Sequence, residues 1–361
     1  MESSKNRIIG FDLARAYAIF GMFIVNFNTV FGSHNNHEGL SGFLNLFNGN
    51  SSTLFVMVAG MGVALMSNRA KYSEIEKKNI KAIVMKRSWF LFFIGLLLYF
   101  WWPADILHFY GGYMHIAAFL LFVPKRWYVI GAIAAISIWH ILLLLIPFEN
   151  GWNFATLQYT DFWTVTGFLR NTFYNGWNPI FPWVAYFLFG MWLGRLNWFE
   201  KSVKIKVLVA AEVVYIAMEV LQYFAAQSGF NPSLAFYINA DYLPPALPFM
   251  LSTASFGCAM LVIMMWIGEK FGESKIAQAL ASTGQMTLSH YIISLTVGMI
   301  ILSILTGKNY TGNITEQEST SPLFIFLYSI TYFLASVAFS VWWKSKFKNG
   351  PFEMLMRKIS G

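Results

Sequence analysis

The sequence predicts an all-α integral membrane protein, with about ten transmembrane helices in one bundle and both termini cytoplasmic. Three observations carry that reading. First, of 361 residues 57% are hydrophobic, 19% aromatic and only 12% charged, whereas soluble domains run near 25% charged. Second, ten apolar stretches approach the ~20 residues that cross a bilayer: 9–30, 51–68, 88–102, 105–123, 128–147, 178–197, 206–225, 244–267, 279–305 and 321–343. Third, 22 of the 25 Lys and Arg residues fall in connections on one side of these spans. Only Arg170 and Lys308 fall on the other, and Arg15 lies within the membrane. Basic connections face the cytoplasm, so this split orients the chain. It also explains the net charge of +8 without nucleic acid.

The first span carries the most chemistry. Asp12, Arg15, Ile19, Met22 and Asn26 recur at steps of three and four, so they share one helical face. Charges are costly in hydrocarbon, and that face therefore looks into the bundle. At ~1.5 Å per residue, Asn26 sits roughly 16 Å above Arg15, about half the hydrocarbon thickness. Asp12 and Arg15 either serve function or pair at i,i+3 and lock the helix in place. The run is too long for a cleavable signal peptide and lacks a small-residue cleavage site, so it is expected to stay as an anchor. A single cysteine, Cys258, rules out an internal disulfide.

The next connection holds His34, Asn35, Asn36, His37 and Glu38. Two imidazoles and a carboxylate could hold zinc, but the loop offers no helical or cysteine framework, and no metal is expected. One histidine as general base or acyl relay is chemically apt, because an imidazole titrates near neutral pH. Two solvated histidines without a role is the alternative. The second span contains Gly60 and Gly62, small residues that permit close helix contact.

In the fourth span Asp105 lies at i−3 of His108, and His115 follows seven residues on. This set either lines a cavity or is a satisfied core cluster. Between Phe148 and Trp177 nine aromatic residues suggest a short helix or lid on the outer surface, or a plain interfacial belt. Trp183, at the opening of the sixth span, and His290, in the polar patch Gln285–Thr287–Ser289, join the cavity-lining candidates, with His34. His140 receives no role. The chain has no repeat of fixed period and no low-complexity tract, and reads as a single polytopic membrane domain over residues 1–361. No Walker, Rossmann, serine-hydrolase or zinc-protease signature is present.

Four motifs in order carry a resemblance. Ile8-Ile-Gly-Phe-Asp-Leu-Ala-Arg-Ala-Tyr-Ala-Ile-Phe-Gly21-Met-Phe-Ile-Val-Asn26 resembles the first helix of transmembrane acyltransferases related to heparan-α-glucosaminide N-acetyltransferase. Asn178-Pro-Ile-Phe-Pro-Trp183 with Gly190-x-x-x-Gly194-Arg195 fits the same group. Gly284-Gln-Met-Thr-Leu-Ser-His-Tyr291 and Gly350-Pro-Phe-Glu-x-Leu-x-Arg357 resemble its YeiB-like bacterial branch. Two departures stand out: the family's Arg-Gly is Arg15-Ala16 here, and its Asp-Leu-Val-Phe-Pro is Ser52-Thr-Leu-Phe-Val56.

The resemblance implies that Asn26 and His37 are the catalytic pair. It also implies transfer of an acyl group, most simply acetyl, from cytoplasmic acetyl-CoA or another acyl-CoA to an acceptor at the outer face. Arg15, with Asp12, would contact the donor, whose phosphates suit the basic face. Asn26 would hold the carbonyl oxygen, and His37 would deprotonate the acceptor. The expected partners are the lipid bilayer and a small-molecule, glycan or lipid-linked acceptor; a homodimer is left open. The expected location is the plasma membrane. The competing class is a transporter or exporter of a small or amphiphilic solute, for which interrupted helices at the midplane would argue.

Overall fold

The computed structural model describes residues 8–32, 38–69, 71–227, 238, 241–309 and 318–361. Among them the chain is 75% helical, and its only sheet is one hairpin of two short strands. Eight helical segments are long and apolar enough to cross a membrane: Ile9–Phe31, Gly39–Met66, Glu74–Tyr99, Arg126–Leu145, Lys201–Ala225, Leu247–Phe271, Thr287–Thr306 and Pro322–Lys344. Two further helices, Leu107–Phe119 and Ile180–Leu193, have 13 and 14 residues. At ~1.5 Å per residue each is shorter than the hydrocarbon layer.

Helix α1 (Ile9–Phe31) is the hub. Sixteen of its 23 residues are buried, because it packs against α3 (Asn50–Met66), α10 (Leu247–Phe271), α11 (Lys275–Gly284) and α13 (Pro322–Lys344). By contrast, α9 (Lys201–Ala225) buries only Lys204 and Ala211. Lys204 pairs with Glu269 of α10, one side of α9 packs against α10, and its other side exposes Ile205, Val209, Val213, Ile216 and Val220. Such a surface is stable only against lipid.

Close backbone approach sets the crossings. A Cβ at Gly60 of α3 would come 2.1 Å from the Phe187 carbonyl of α8 (Ile180–Leu193), and one at Gly190 would come 2.1 Å from the Met57 carbonyl. Small residues thus let α3 and α8 touch along their length, where apolar burial drives nothing in lipid. Gly284 does the same for α11, since its Cβ would sit 1.9 Å from the Asp12 carbonyl.

The helices depart from the apolar spans in three places. α4 (Glu74–Tyr99) begins 14 residues before the apolar span, in the Lys/Arg-rich connection. Ser73 and Glu76 form a capping box there, which holds a charged first turn that hydropathy alone cannot register. The stretch 279–305 is two helices, α11 and α12 (Thr287–Thr306), separated at Gln285–Met286. An amphipathic helix, α14 (Pro351–Ser360), follows the last span.

The aromatic connection folds as a small cap. β1 (Trp152–Asn153) pairs with β2 (Gln158–Tyr159), and α7 (Val165–Arg170) continues into a π-turn at Asn171–Asn175. Asn175 Nδ2 donates to the carbonyls of Phe148 (2.6 Å) and Asn150 (2.8 Å), while its Oδ1 accepts from Tyr159 OH (2.7 Å). Arg170 donates to Tyr159 OH at 2.8 Å and grips both oxygens of Asp161 at 2.7 and 2.6 Å. Burial pushes the Tyr159 hydroxyl up to about 12 against the pull of Arg170, so it remains a donor to Asn175. Phe162 stacks on Tyr99 of α4 with centroids 3.6 Å apart. Trp152, Tyr159, Phe162 and Tyr174 are buried, as a folded unit requires and a lipid-facing belt would not.

Candidate functional site

The site is built on the α1 stripe. Asp12, Ile19, Met22 and Asn26 are buried, and Arg15 is half-buried. At its base Arg15 Nη1 meets Asp12 Oδ1 at 3.2 Å, and Gln285 Nε2 donates to Asp12 Oδ2 at 3.1 Å. The break between α11 and α12 is therefore where a polar side chain reaches the first helix. Gly62 leaves room for the guanidinium, since a Cβ there would lie 2.9 Å from Arg15 Nη2. Tyr110 of α5 (Leu107–Phe119) is buried between Phe55 and Tyr113. Its hydroxyl is buried with no partner among the described residues.

Higher on α1, Asn26 is 6% exposed, and its Nδ2 is buried with no partner among the described residues. Leaving such a donor unpaired costs about 1–3 kcal/mol. Other unpaired groups collect near the start of α3. Gly21 lies one turn below Asn26, and a Cβ there would come 2.0 Å from Ser51 Oγ. Ser51 Oγ, Ser252 Oγ and Trp183 Nε1 are all buried without partners among the described residues. Trp183 packs on Tyr186, Tyr242 and Phe249. Tyr186 in turn bonds Thr253 at 2.7 Å, and Asn178 Nδ2 donates to Tyr242 OH at 2.7 Å. The interior at the start of α3 is thus hydroxyl-rich and under-bonded, and buried polar groups left open in this way are what a bound ligand can use.

Asp105 and His108 form a separate, fully buried unit. Asp105 Oδ2 accepts from the Leu107 N–H (2.8 Å), the His108 N–H (3.2 Å) and His108 Nδ1 (3.3 Å), and its Oδ1 accepts from Tyr291 OH (3.3 Å). The carboxylate thus starts α5 and orients the imidazole. His115 bonds Ser88 of α4, so both α5 histidines face α4. His290 Nε2 lies 2.6 Å from Ser340 Oγ of α13, apart from the other two. The structure does not gather His108, His115 and His290 into one cluster. His34 and His37 lie outside the described residues.

Sequence reasoning assigned no role to Gln285, Tyr291, Tyr110, Ser51 or Glu353. The first two sat in a motif already noticed, and Ser51-Ser52-Thr53 is a polar run opening an apolar helix. Glu353 is half-buried and makes no ion pair among the described residues: it accepts from the N–H groups of Leu288 (2.8 Å) and Ser289 (3.2 Å) and from the Ser289 hydroxyl. Burial raises its carboxyl above the usual range. The Gly350-Pro-Phe-Glu353 and Thr287-Leu-Ser289 motifs are therefore two halves of one junction.

Among the described residues no group of three or more His, Cys, Asp or Glu side chains could hold a metal ion. No curated protein matches the chain. Residues 192–361 match the model described as "Protein of unknown function (DUF418)", which is the YeiB-like group. Residues 7–239 match the model described as "Heparan-alpha-glucosaminide N-acetyltransferase, catalytic". That second match spans well over half of the chain, including the stripe from Asp12 to Asn26, the Asp105–His108 unit and the cap, and with it the chain belongs to the heparan-alpha-glucosaminide N-acetyltransferase catalytic family.

Proposed function

We propose that the protein is a transmembrane acyltransferase that moves an acyl group, most simply acetyl, from cytoplasmic acyl-CoA to an acceptor at the outer face. The observation that carries this is the family match running through Asn26, whose buried amide donor has no partner among the described residues. In this reading Leu107–Phe119 and Ile180–Leu193 also pass through the layer, giving ten passes. The positive-inside rule then puts both termini in the cytoplasm, and the cell membrane is the location.

The chemistry follows from the residues. The donor's phosphates are drawn to the basic end, and Arg15 contacts its polar arm. Asn26 Nδ2 donates to the thioester carbonyl oxygen as charge grows there in the tetrahedral state. His37 takes the proton from an acceptor hydroxyl or amine, whose lone pair forms the new bond to the carbonyl carbon. The C–S bond breaks, and the thiolate leaves with a proton as free CoA. Asp12 holds Arg15 in place. Trp183 and the buried hydroxyls at the start of α3 line the acceptor's cavity, and His34 also contacts the acceptor; Asp105, His108, His115 and His290 instead brace the surrounding helices.

The transporter reading keeps one observation in its favour, the interruption at Gln285–Met286 beside Asp12. Purified protein with acetyl-CoA, assayed for free CoA against sugar and amine acceptors, separates the two. His37→Ala is expected to lower turnover by roughly 10²–10⁴-fold with little change in donor affinity, and His34→Ala to be near silent. Equal turnover of His37→Ala and parent removes the base assignment, and solute uptake without CoA release replaces the enzyme with a transporter.

A further inference from the structure

A cavity of about 560 Å³ opens at the basic end of the bundle, where α3 and α5 stop. Arg69, Lys71, Lys77, Lys125 and Arg195 line it, and among the described residues no acidic side chain does. The carboxylates that face it are Glu74, paired with Lys77 at 2.7 Å, and Glu76, paired with Arg69 at 3.2 Å. Both are exposed pairs in water, which hold weakly and exchange readily. Lys71 and Lys125 are exposed cations that make no ion pair among the described residues.

The floor is fixed. Helix ends present carbonyl oxygens, which would repel an anion, but Arg195 covers them. It donates to the Ser67 carbonyl (2.7 Å), Asn68 Oδ1 (2.8 Å), the Ser67 hydroxyl (2.7 Å) and the Leu121 carbonyl (3.0 Å). The end of α3 and the turn after α5 are thereby neutralised and tied together. One wall is aromatic and also fixed. Tyr72 and Phe122 pack edge-on at 5.3 Å, and the Tyr72 hydroxyl accepts from the Arg69 N–H (2.9 Å) and donates to the Met66 carbonyl (3.3 Å).

We infer that this bowl is a phosphate-binding site, taking a phosphoryl anion on Lys71, Lys125, Lys77 and Arg69 with its apolar or ring portion against Tyr72 and Phe122. Two sources offer that chemistry: a phosphorylated nucleoside from solution, or the headgroup of an anionic phospholipid reaching in from the membrane surface. The nucleotide source deepens the proposed function and rests on that reading, which draws the donor's phosphates to this end; the headgroup source does not.

The test uses the full-length protein in phosphatidylcholine nanodiscs. Adenosine 3′,5′-bisphosphate is titrated by calorimetry at about 20 mM salt, where screening is weak. In a second arm phosphatidylglycerol is added to the discs, and lipid retained by the protein is counted by native mass spectrometry. Lys71→Glu/Lys125→Glu is expected to cost about 10- to 30-fold in nucleotide affinity, or a comparable share of retained phosphatidylglycerol, since each surface cation contributes around fivefold. Lys346→Glu/Lys348→Glu makes the same charge change on the C-terminal tail and is expected to leave binding near the parent value. A loss confined to the nucleotide arm makes the ligand soluble, and one confined to the lipid arm makes it a headgroup. Binding of neither by the parent overturns the inference, as does equal loss in both double variants.

Discussion

Asn26→Leu is the perturbation that separates a working amide from a packing one. The side chains are close in volume, so the exchange opens no cavity. In the parent, Nδ2 is buried and unpaired among the described residues, a penalty of about 1–3 kcal/mol that leucine removes. Unfolding entropy is ~2.1 cal/mol/K per residue, which over 361 residues turns that gain into a rise of about 1–4 °C in melting temperature. Loss of an oxyanion donor should meanwhile cut turnover by about 10²–10³-fold. Thermal unfolding by intrinsic fluorescence, with 14 Trp residues as reporters, gives the first quantity, and free-CoA release gives the second. A variant that is steadier yet inactive is the signature of a site where stability is given up for function. A Leu variant that melts lower than the parent would show that Asn26 is bonded and structural, and would refute the reasoning.

Two other predictions follow from the junctions and the charge split. Because burial raises the Glu353 carboxyl, the fold favours its protonated form; that stability is complete below the usual value of about 4.3 and is lost as pH climbs through the raised value. Parent melting temperature should therefore fall relative to Glu353→Gln as pH rises through this window, and a gap that stays constant or narrows would contradict it. For orientation, in a Cys258→Ala background a cysteine at Ala155 in the cap should react with an impermeant thiol reagent on intact cells, while one at Ser202 should not; the reverse pattern inverts the topology and removes the acyl-crossing mechanism.

What was legible in the sequence divides along the range of the forces involved. The membrane class follows from composition, and the inward stripe of α1 follows from period alone, because a helix converts spacing of three and four into one face. Helix ends were less legible. Hydropathy places the start of α4 at 88, but the capping box at Ser73 and Glu76 starts it at Glu74, and local hydrogen bonding outranks hydrophobicity in that polar stretch. Least legible were contacts between distant segments. Gln285 reaches Asp12 across 273 positions and Glu353 caps Leu288 across 65, and neither residue's own neighbourhood betrays its partner. Yet both belong to motifs whose oddity was visible: a glutamine after a glycine that ends a helix, and a glutamate two residues past Gly-Pro in an apolar chain. In a membrane protein such residues must be answered by something, since an unanswered polar group in hydrocarbon is expensive. The same logic singles out what the described fold leaves unanswered. The amide of Asn26, the hydroxyls of Ser51, Ser252 and Tyr110 and the indole of Trp183 are buried donors with no partner among the described residues, and three of them, Asn26, Ser51 and Ser252, lie on α1 or on helices that pack against it. The fold answers Asp12, Asp105 and Glu353 from distant segments, and although Trp102, His108 Nε2, Asn171 and Thr172 are left open elsewhere among the described residues, the open donors on α1 and its neighbours are the ones a ligand beside the stripe would complete.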